Sequence, residues 1–215
     1  MSDSLAFISD MHIAPSTAGD ERAQSDVDRP ARRAKRLEAA VEQVRKSEPA
    51  AVLFGGDNTN QPVDRPAYRQ ALQAALEGTP TPWYMIPGNH DVGSTIGWHH
   101  HDPARMKTAC AAFREVFGAD RWVCEAAGFR IIAANSQLCG ADLPEAAEQD
   151  TWLRDELSKP TGLLKTVFVH TPPYLQTPEE DFDDGSEQMC LKPPARKPLL
   201  AILNETPPDL LITAH

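Results

Sequence analysis

Apolar residues along the chain follow two spacings. Short continuous runs occur at "LAFIS" (5–9), "AAVLFGG" (50–56), "PWYMIPG" (82–88), "KTVFVH" (165–170) and "DLLITAH" (209–215). Each is bounded by Gly, His or Asp, the signature of a buried strand. Between the runs the spacing widens to three and four. Ala34, Leu37, Val41 and Val44 form one such stripe, and Tyr68, Leu72 and Leu76 another. Met106, Cys110, Phe113 and Phe117 share a helical face, and Leu153 and Leu157 anchor a further helix. The stretch 121–137 reads as a hairpin turning near Ala127-Gly128. Strands alternating with helices predict an α/β fold with parallel pairing. In such folds ligands bind beyond the carboxyl ends of the strands.

Residues 14–30 and 171–194 read as solvated loops. Both follow strand ends, so the sharper reading places them at the rim of a site. The basic run Arg29, Arg32, Arg33, Lys35 and Arg36 opens a helix with an apolar face and reads as its solvated side.

Composition narrows the class. A chain of 215 residues with 41% hydrophobic and 7% aromatic residues suits one globular domain. The net charge of -10 argues against partners that need a positive field, nucleic acid and anionic membrane alike. It leaves phosphorylated substrates open, because bound cations can dominate a local field. Cys110, Cys124, Cys139 and Cys190 are irregularly spaced and read as buried thiols of a reducing compartment. The start "MSDSLAFISD" lacks a basic segment leading into an apolar one, and no apolar run would span a bilayer, so the cytoplasm is the expectation.

The chemistry sits at the strand ends. The first run ends in Asp10-Met11-His12 and the second in Gly55-Gly56-Asp57, with Asn60 soon after. The third ends in Gly88-Asn89-His90-Asp91, a later one in His170 and the last in His215. Asp, His and Asn are ligand types that intermediate divalent metals accept. On extended backbone Asp10 and His12 point to the same side and could reach one ion. A two-metal site would hold its ions about 3.5–4 Å apart. A lone Asp-x-His is often a surface pair, and a lone core His is usually satisfied by a neighbour. The recurrence of these types at five strand ends is what carries the reading.

These stretches together resemble the calcineurin-like metallophosphoesterases. That family's pattern is Asp-x-His, Gly-Asp-x-x-Asp/Asn, Gly-Asn-His-Asp/Glu, a lone His, and Gly-His-x-His. This chain has "DMH" at 10–12, "GDNTN" at 56–60, "GNHD" at 88–91, "VH" at 169–170 and "AH" at 214–215. The resemblance implies a four-layer α/β/β/α sandwich with two mixed sheets inside. It implies two divalent ions, manganese, iron or zinc. Asp10 and His12 would bind the first, Asp57 would bridge, and Asn89, His170 and His215 would bind the second. A bridging hydroxide would attack phosphorus, and His90, oriented by Asp91, would serve the leaving oxygen. Asn60 and His100, one of the run His99–His101, are further candidates for substrate contact.

The pattern departs from this chain at one end. Ala214 replaces the Gly of Gly-His-x-His, and the chain stops at His215. The resemblance therefore implies that a second histidine and the last strands would follow. "GDNTNQP" lacks the Arg of the serine/threonine phosphatases, and Asp91 replaces their Glu. The stretches "GNHDVGST", "FGADRW", "NSQ" and "QDTWLRDELS" look closer to the calcineurin-like phosphoesterase domain-containing proteins. The expected substrate is a phosphomonoester, a small molecule or a phosphoprotein. Phosphodiester hydrolysis and a non-catalytic metal-binding or scaffold role are the alternatives.

Overall fold

A computed structural model of the chain describes residues 3–13, 28–59, 65–93, 102–181 and 189–215. Asn60, His100 and most of the 14–30 loop lie outside them. Three parallel strands form the first sheet in the order β1 (Leu5–Ile8), β2 (Ala51–Phe54), β3 (Trp83–Met85). Between them run α1 (Asp28–Ser47) and α2 (Arg65–Leu76). One helical turn, α3 (Asn89–Val92), and then α4 (Pro103–Phe117) follow β3. The second sheet has the order β4 (Trp122–Ala126), β5 (Phe129–Ala133), β6 (Leu164–Phe168), β7 (Leu210–Ile212). Helix α5 (Pro144–Ser158) links β5 to β6, and α6 (Pro193–Glu205) links β6 to β7.

The layering follows from the two-residue period of each strand. In β2, Leu53 faces the second sheet, while Val52 and Phe54 face α1, α2 and α4. In β5 and β6, Ile131, Ala133 and Phe168 face the first sheet, and Ile132 and Val167 face α5 and α6. Both sheets are thus apolar on both faces, as parallel strands under helices must be. The result is helices, sheet, sheet, helices. Trp122 ties the sheets, its indole Nε1 donating to the Met85 carbonyl at 2.7 Å. Its ring lies 5.0 Å from Tyr84 and 6.1 Å from Phe168.

The hairpin turns at Ala127 and Gly128, with φ of 51° and 83°. Two positive φ values make the I′ turn whose twist matches a hairpin. Helix α4 starts on Asp102, whose carboxylate accepts from Ala104 N and Arg105 N at 3.0 and 3.2 Å. Such a cap contributes about 1 kcal/mol. The sequence reading carries the second loop to residue 194 and has no helix before the last strand, yet α6 begins at Pro193. Its prolines hid it. Pro193 and Pro194 occupy the first turn, where a missing N–H is harmless, and Pro198 lies inside. Among the described residues no helix is long and apolar enough to cross a membrane.

Candidate metal centre

Past their last rungs the strands stop being extended. Asp10, His12 and Asp57 have φ of 54°, 45° and 49°, and His215 has 76°. Each such left-handed residue costs roughly 1–2 kcal/mol, and backbone strain of this kind gathers at functional sites. The β1 and β2 tails still run side by side. Asp10 N–H donates to Gly56 O at 3.1 Å and His12 N–H to Asp57 O at 2.9 Å. The expectation that Asp10 and His12 share one face of an extended strand is therefore corrected. The donors fall into two overlapping groups that meet at Asp57. Asp10 gathers with Asp57, His170 and His215, and His12 gathers with Asp57 and His90. In each group one donor atom per residue lies within 4.8 Å of the others.

Asp57 is the residue the two groups share. It is buried, and its Oδ2 lies 3.6 Å from His12 Nε2 and 3.5 Å from His170 Nε2. Its Oδ1 accepts the His90 backbone N–H at 2.8 Å. His170 Nε2 is also 3.1 Å from Asn89 Oδ1 and 3.1 Å from His215 Nδ1. The His215 N–H donates to Asp10 Oδ2 at 3.2 Å, and the Ser9 hydroxyl donates to the same oxygen. The His12 and His90 rings meet edge to face, 4.5 Å between centroids.

This donor set fits a cation. His170 Nδ1 lies 2.7 Å from the Gly55 carbonyl, which can only accept, so Nδ1 carries the hydrogen. The lone pair of a neutral ring is then on Nε2, aimed at Asn89 Oδ1, Asp57 Oδ2 and His215 Nδ1. Asn89 Oδ1 and Asp57 Oδ2 are acceptors facing that lone pair, an arrangement that a divalent ion or a proton would relieve. Burial opposes the charged form of Asp57, but the hydrogen bond and charge of His170, with His90, hold its carboxyl below the usual range. Burial also opposes a charged His170, and there Asp57 outweighs it and raises the imidazole. The neighbours thus favour negative Asp57 beside positive charge.

A family model described as calcineurin-like phosphoesterase matches residues 4–215. The chain belongs to the calcineurin-like phosphoesterase family. Among solved structures it is similar to a dimetal phosphatase from Danio rerio, with a TM-score of 0.58 and 13% identity over 97% of this chain and 79% of that one. It is similar also to a purple acid phosphatase from yellow lupin (Lupinus luteus) seeds, with a TM-score of 0.63 and 12% identity. That match covers 98% of this chain and 37% of the lupin protein. At these identities the likeness is one of fold. No curated protein matches the chain.

In this member of the family Asp91, expected to orient His90, is engaged by the loops that follow β2 and β3. The fully buried carboxylate accepts from Asn58 N and Nδ2 at 3.2 and 3.1 Å, and from Thr59 N and Oγ1 at 3.0 and 2.9 Å. Gly88 N–H, at 3.0 Å, is a fifth donor. Asp91 thus clamps the loop after β2 to the loop after β3, and so holds Asp57 beside Asn89 and His90. Burial pushes its pKa up, against the pull of the Gly88, Thr59 and Asn58 hydrogen bonds. The glycines permit the approach. A Cβ on Gly88 would sit 2.2 Å from Asp57 Oδ1, and one on Gly56 would sit 2.6 Å from His170 Nδ1. Sequence reasoning had Asn60 in this stretch and missed Asn58 and Thr59, although "GDNTN" contains all three.

Proposed function

We propose that the chain is a dimetal hydrolase of phosphomonoesters, with a phosphorylated small molecule or a phosphoprotein as substrate. The observation that carries this reading is the convergence on Asp57, whose Oδ2 faces His12 on one side and His170 on the other. Asp10 and His12 would hold the first ion, Asp57 would lie between the two, and Asn89, His170 and His215 would hold the second. The oxygen and nitrogen donors suit manganese, iron or zinc. Bound there, such ions would supply a water of lowered pKa and charge to stabilise an in-line displacement at phosphorus.

The residues do the rest. Asp57 and Asp10 supply the negative charge that offsets two cations in a buried setting. Gly55 O fixes the His170 tautomer, so that Nε2 is the nitrogen left to bind an ion. His90 is tethered through its backbone to Asp57 and stands beside His12, where its ring can pass a proton to the leaving oxygen. Asp91 keeps that tether in register. The four free cysteines, all buried, support a reducing compartment, the cytoplasm.

Turnover of p-nitrophenyl phosphate with manganese is the test. Asp57→Asn and His90→Ala should each lower it by at least about 100-fold, the scale of a lost acid or a displaced ion. Activity that survives both substitutions refutes the assignment. Faster turnover of bis-p-nitrophenyl phosphate would make the chain a diesterase. Manganese binding without turnover of either ester would make it a metal-binding scaffold.

A further inference from the structure

At the end of β6 the two flanks of the strand are held in different ways. On the β7 side the backbone ladder continues, with Val169 N–H donating to Ile212 O at 3.1 Å and Ala214 N–H to His170 O at 2.9 Å. On the β5 side the last backbone rung is Ala134 N–H to Phe168 O, 2.9 Å. Beyond that rung side chains take over. Ser136 Oγ accepts the Thr171 N–H at 3.0 Å. Gln137 Nε2 donates to Thr171 Oγ1 at 2.8 Å and to Ser136 Oγ at 3.3 Å. Ser136, Gln137, His170 and Thr171 are all 0% exposed.

A second glutamine braces this turn from behind. Gln149 of α5 accepts the Asn135 N–H at 2.9 Å and donates to Asn135 O at 3.0 Å, as a neighbouring strand would. The Asn135 side chain accepts the Gln137 N–H at 3.0 Å and donates to Asp120 at 3.2 Å. Asp120 is held in turn by Arg114 at 3.0 Å. The assembly is therefore continuous from α4 and α5 to the residue after His170.

Gln137 is a costly choice for stability alone. Its Oε1 is buried and finds no hydrogen-bond partner among the described residues. A methionine would reach as far and leave no amide unanswered. Buried polar groups that a fold keeps at a loss tend to mark function.

We propose that Gln137 is a positioning residue for His170: by gripping Thr171 where the backbone ladder ends, it fixes the point from which the imidazole leaves the sheet, and so holds Nε2 on the second ion. This rests on the reading of His170 as a metal ligand.

The test is calorimetric titration of the metal-free protein with manganese, alongside its thermal unfolding, for wild type, His170→Ala, Gln137→Met, Thr171→Val and Thr171→Ser. His170→Ala should lose one of two binding events. Gln137→Met and Thr171→Val should weaken one event by about 10–100-fold, the usual effect of removing an outer-shell partner. Thr171→Ser, which keeps the hydroxyl, should bind as wild type. The metal-free melting temperature of Gln137→Met should be unchanged or higher. Wild-type binding by Gln137→Met, while His170→Ala loses an ion, overturns the positioning role alone. A Gln137→Met protein that melts lower and binds both ions equally worse also overturns it, since the role is then structural. Wild-type binding by His170→Ala overturns the ligand assignment itself.

Discussion

Replacing Gly88 with alanine adds one methyl group at the most crowded point of the centre. Gly88 has φ -102° and ψ -177°, a conformation any residue adopts, so backbone strain does not enter. The added Cβ would lie 2.2 Å from Asp57 Oδ1 and 2.3 Å from Asp57 N, against an ordinary contact of 3.4–4 Å. Asp57 or the β3 tail must therefore withdraw by about 1 Å. That movement lengthens the 2.8 Å bond from His90 N–H and shifts the carboxylate relative to His12 and His170. Overpacking of this kind costs about 1–3 kcal/mol of stability, or roughly 2–12 °C in melting temperature for a chain of this size. A misplacement of about 1 Å costs about 100-fold in rate. Gly118→Ala is the matched control. Gly118 has φ 88° with nothing within 4 Å of an added Cβ, so its change is strain without a clash. It should cost about 1–3 kcal/mol and leave turnover intact. The assay is p-nitrophenyl phosphate turnover at saturating manganese, with melting temperatures measured in parallel. Near-normal turnover in Gly88→Ala, or equal loss of turnover in the two variants, refutes the placement of Asp57 at the centre.

Adding manganese at about 100 times its dissociation constant should stabilise the protein by about 2.7 kcal/mol per site. EDTA should reverse the gain and Asp57→Asn should abolish it; a chelator-insensitive melting temperature contradicts the metal assignment. Asp91→Ala takes the acceptor from five buried donors. Asn58 Nδ2 keeps its bond to Ile86 O, and at about 1–3 kcal/mol for each of the other four the change should cost about 4 kcal/mol or more in urea unfolding. A loss below about 1 kcal/mol would refute the clamp. Burial, the largest cause in each case, pushes the thiols of Cys110 and Cys124 up from 9.0 to about 11 and that of Cys139 to about 12. They should resist iodoacetamide in the native protein at pH 8 and react once urea exposes them. Because the folded state holds these protons more tightly, their contribution to stability is complete below pH 9 and is lost as pH rises toward 11–12. Rapid native alkylation, or stability that climbs through that window, contradicts the burial.

The strands were legible because their apolar runs are short and end in Gly, His or Asp. The helices α1, α2, α4 and α5 were legible from stripes such as Met106, Cys110, Phe113 and Phe117. Helix α6 was not, because three prolines look like loop chemistry until the first turn is recognised as their place. The members of the centre were readable from residue type and position. The backbone that carries them was not, since Asp10 and His12 sit in left-handed turns instead of on an extended strand. The work of Asp91, Ser136 and Gln137 was hidden for another reason. Asp91 and Gln137 reach partners 32 to 34 positions away, and no local pattern announces a hydrogen bond of that span.

The contact between Asp10 and the His215 backbone joins positions 205 residues apart. A ribosome making roughly 5–20 residues per second needs about ten to forty seconds to travel that far. The first sheet can gather meanwhile, because β1, β2 and β3 pair among themselves. Throughout that interval Asp10 and Asp57 stand together without His170 or His215 to complete their group. On the proposed reading, the order of synthesis would make ion capture a late event, one that a nascent chain reaches only after β7 has joined β6.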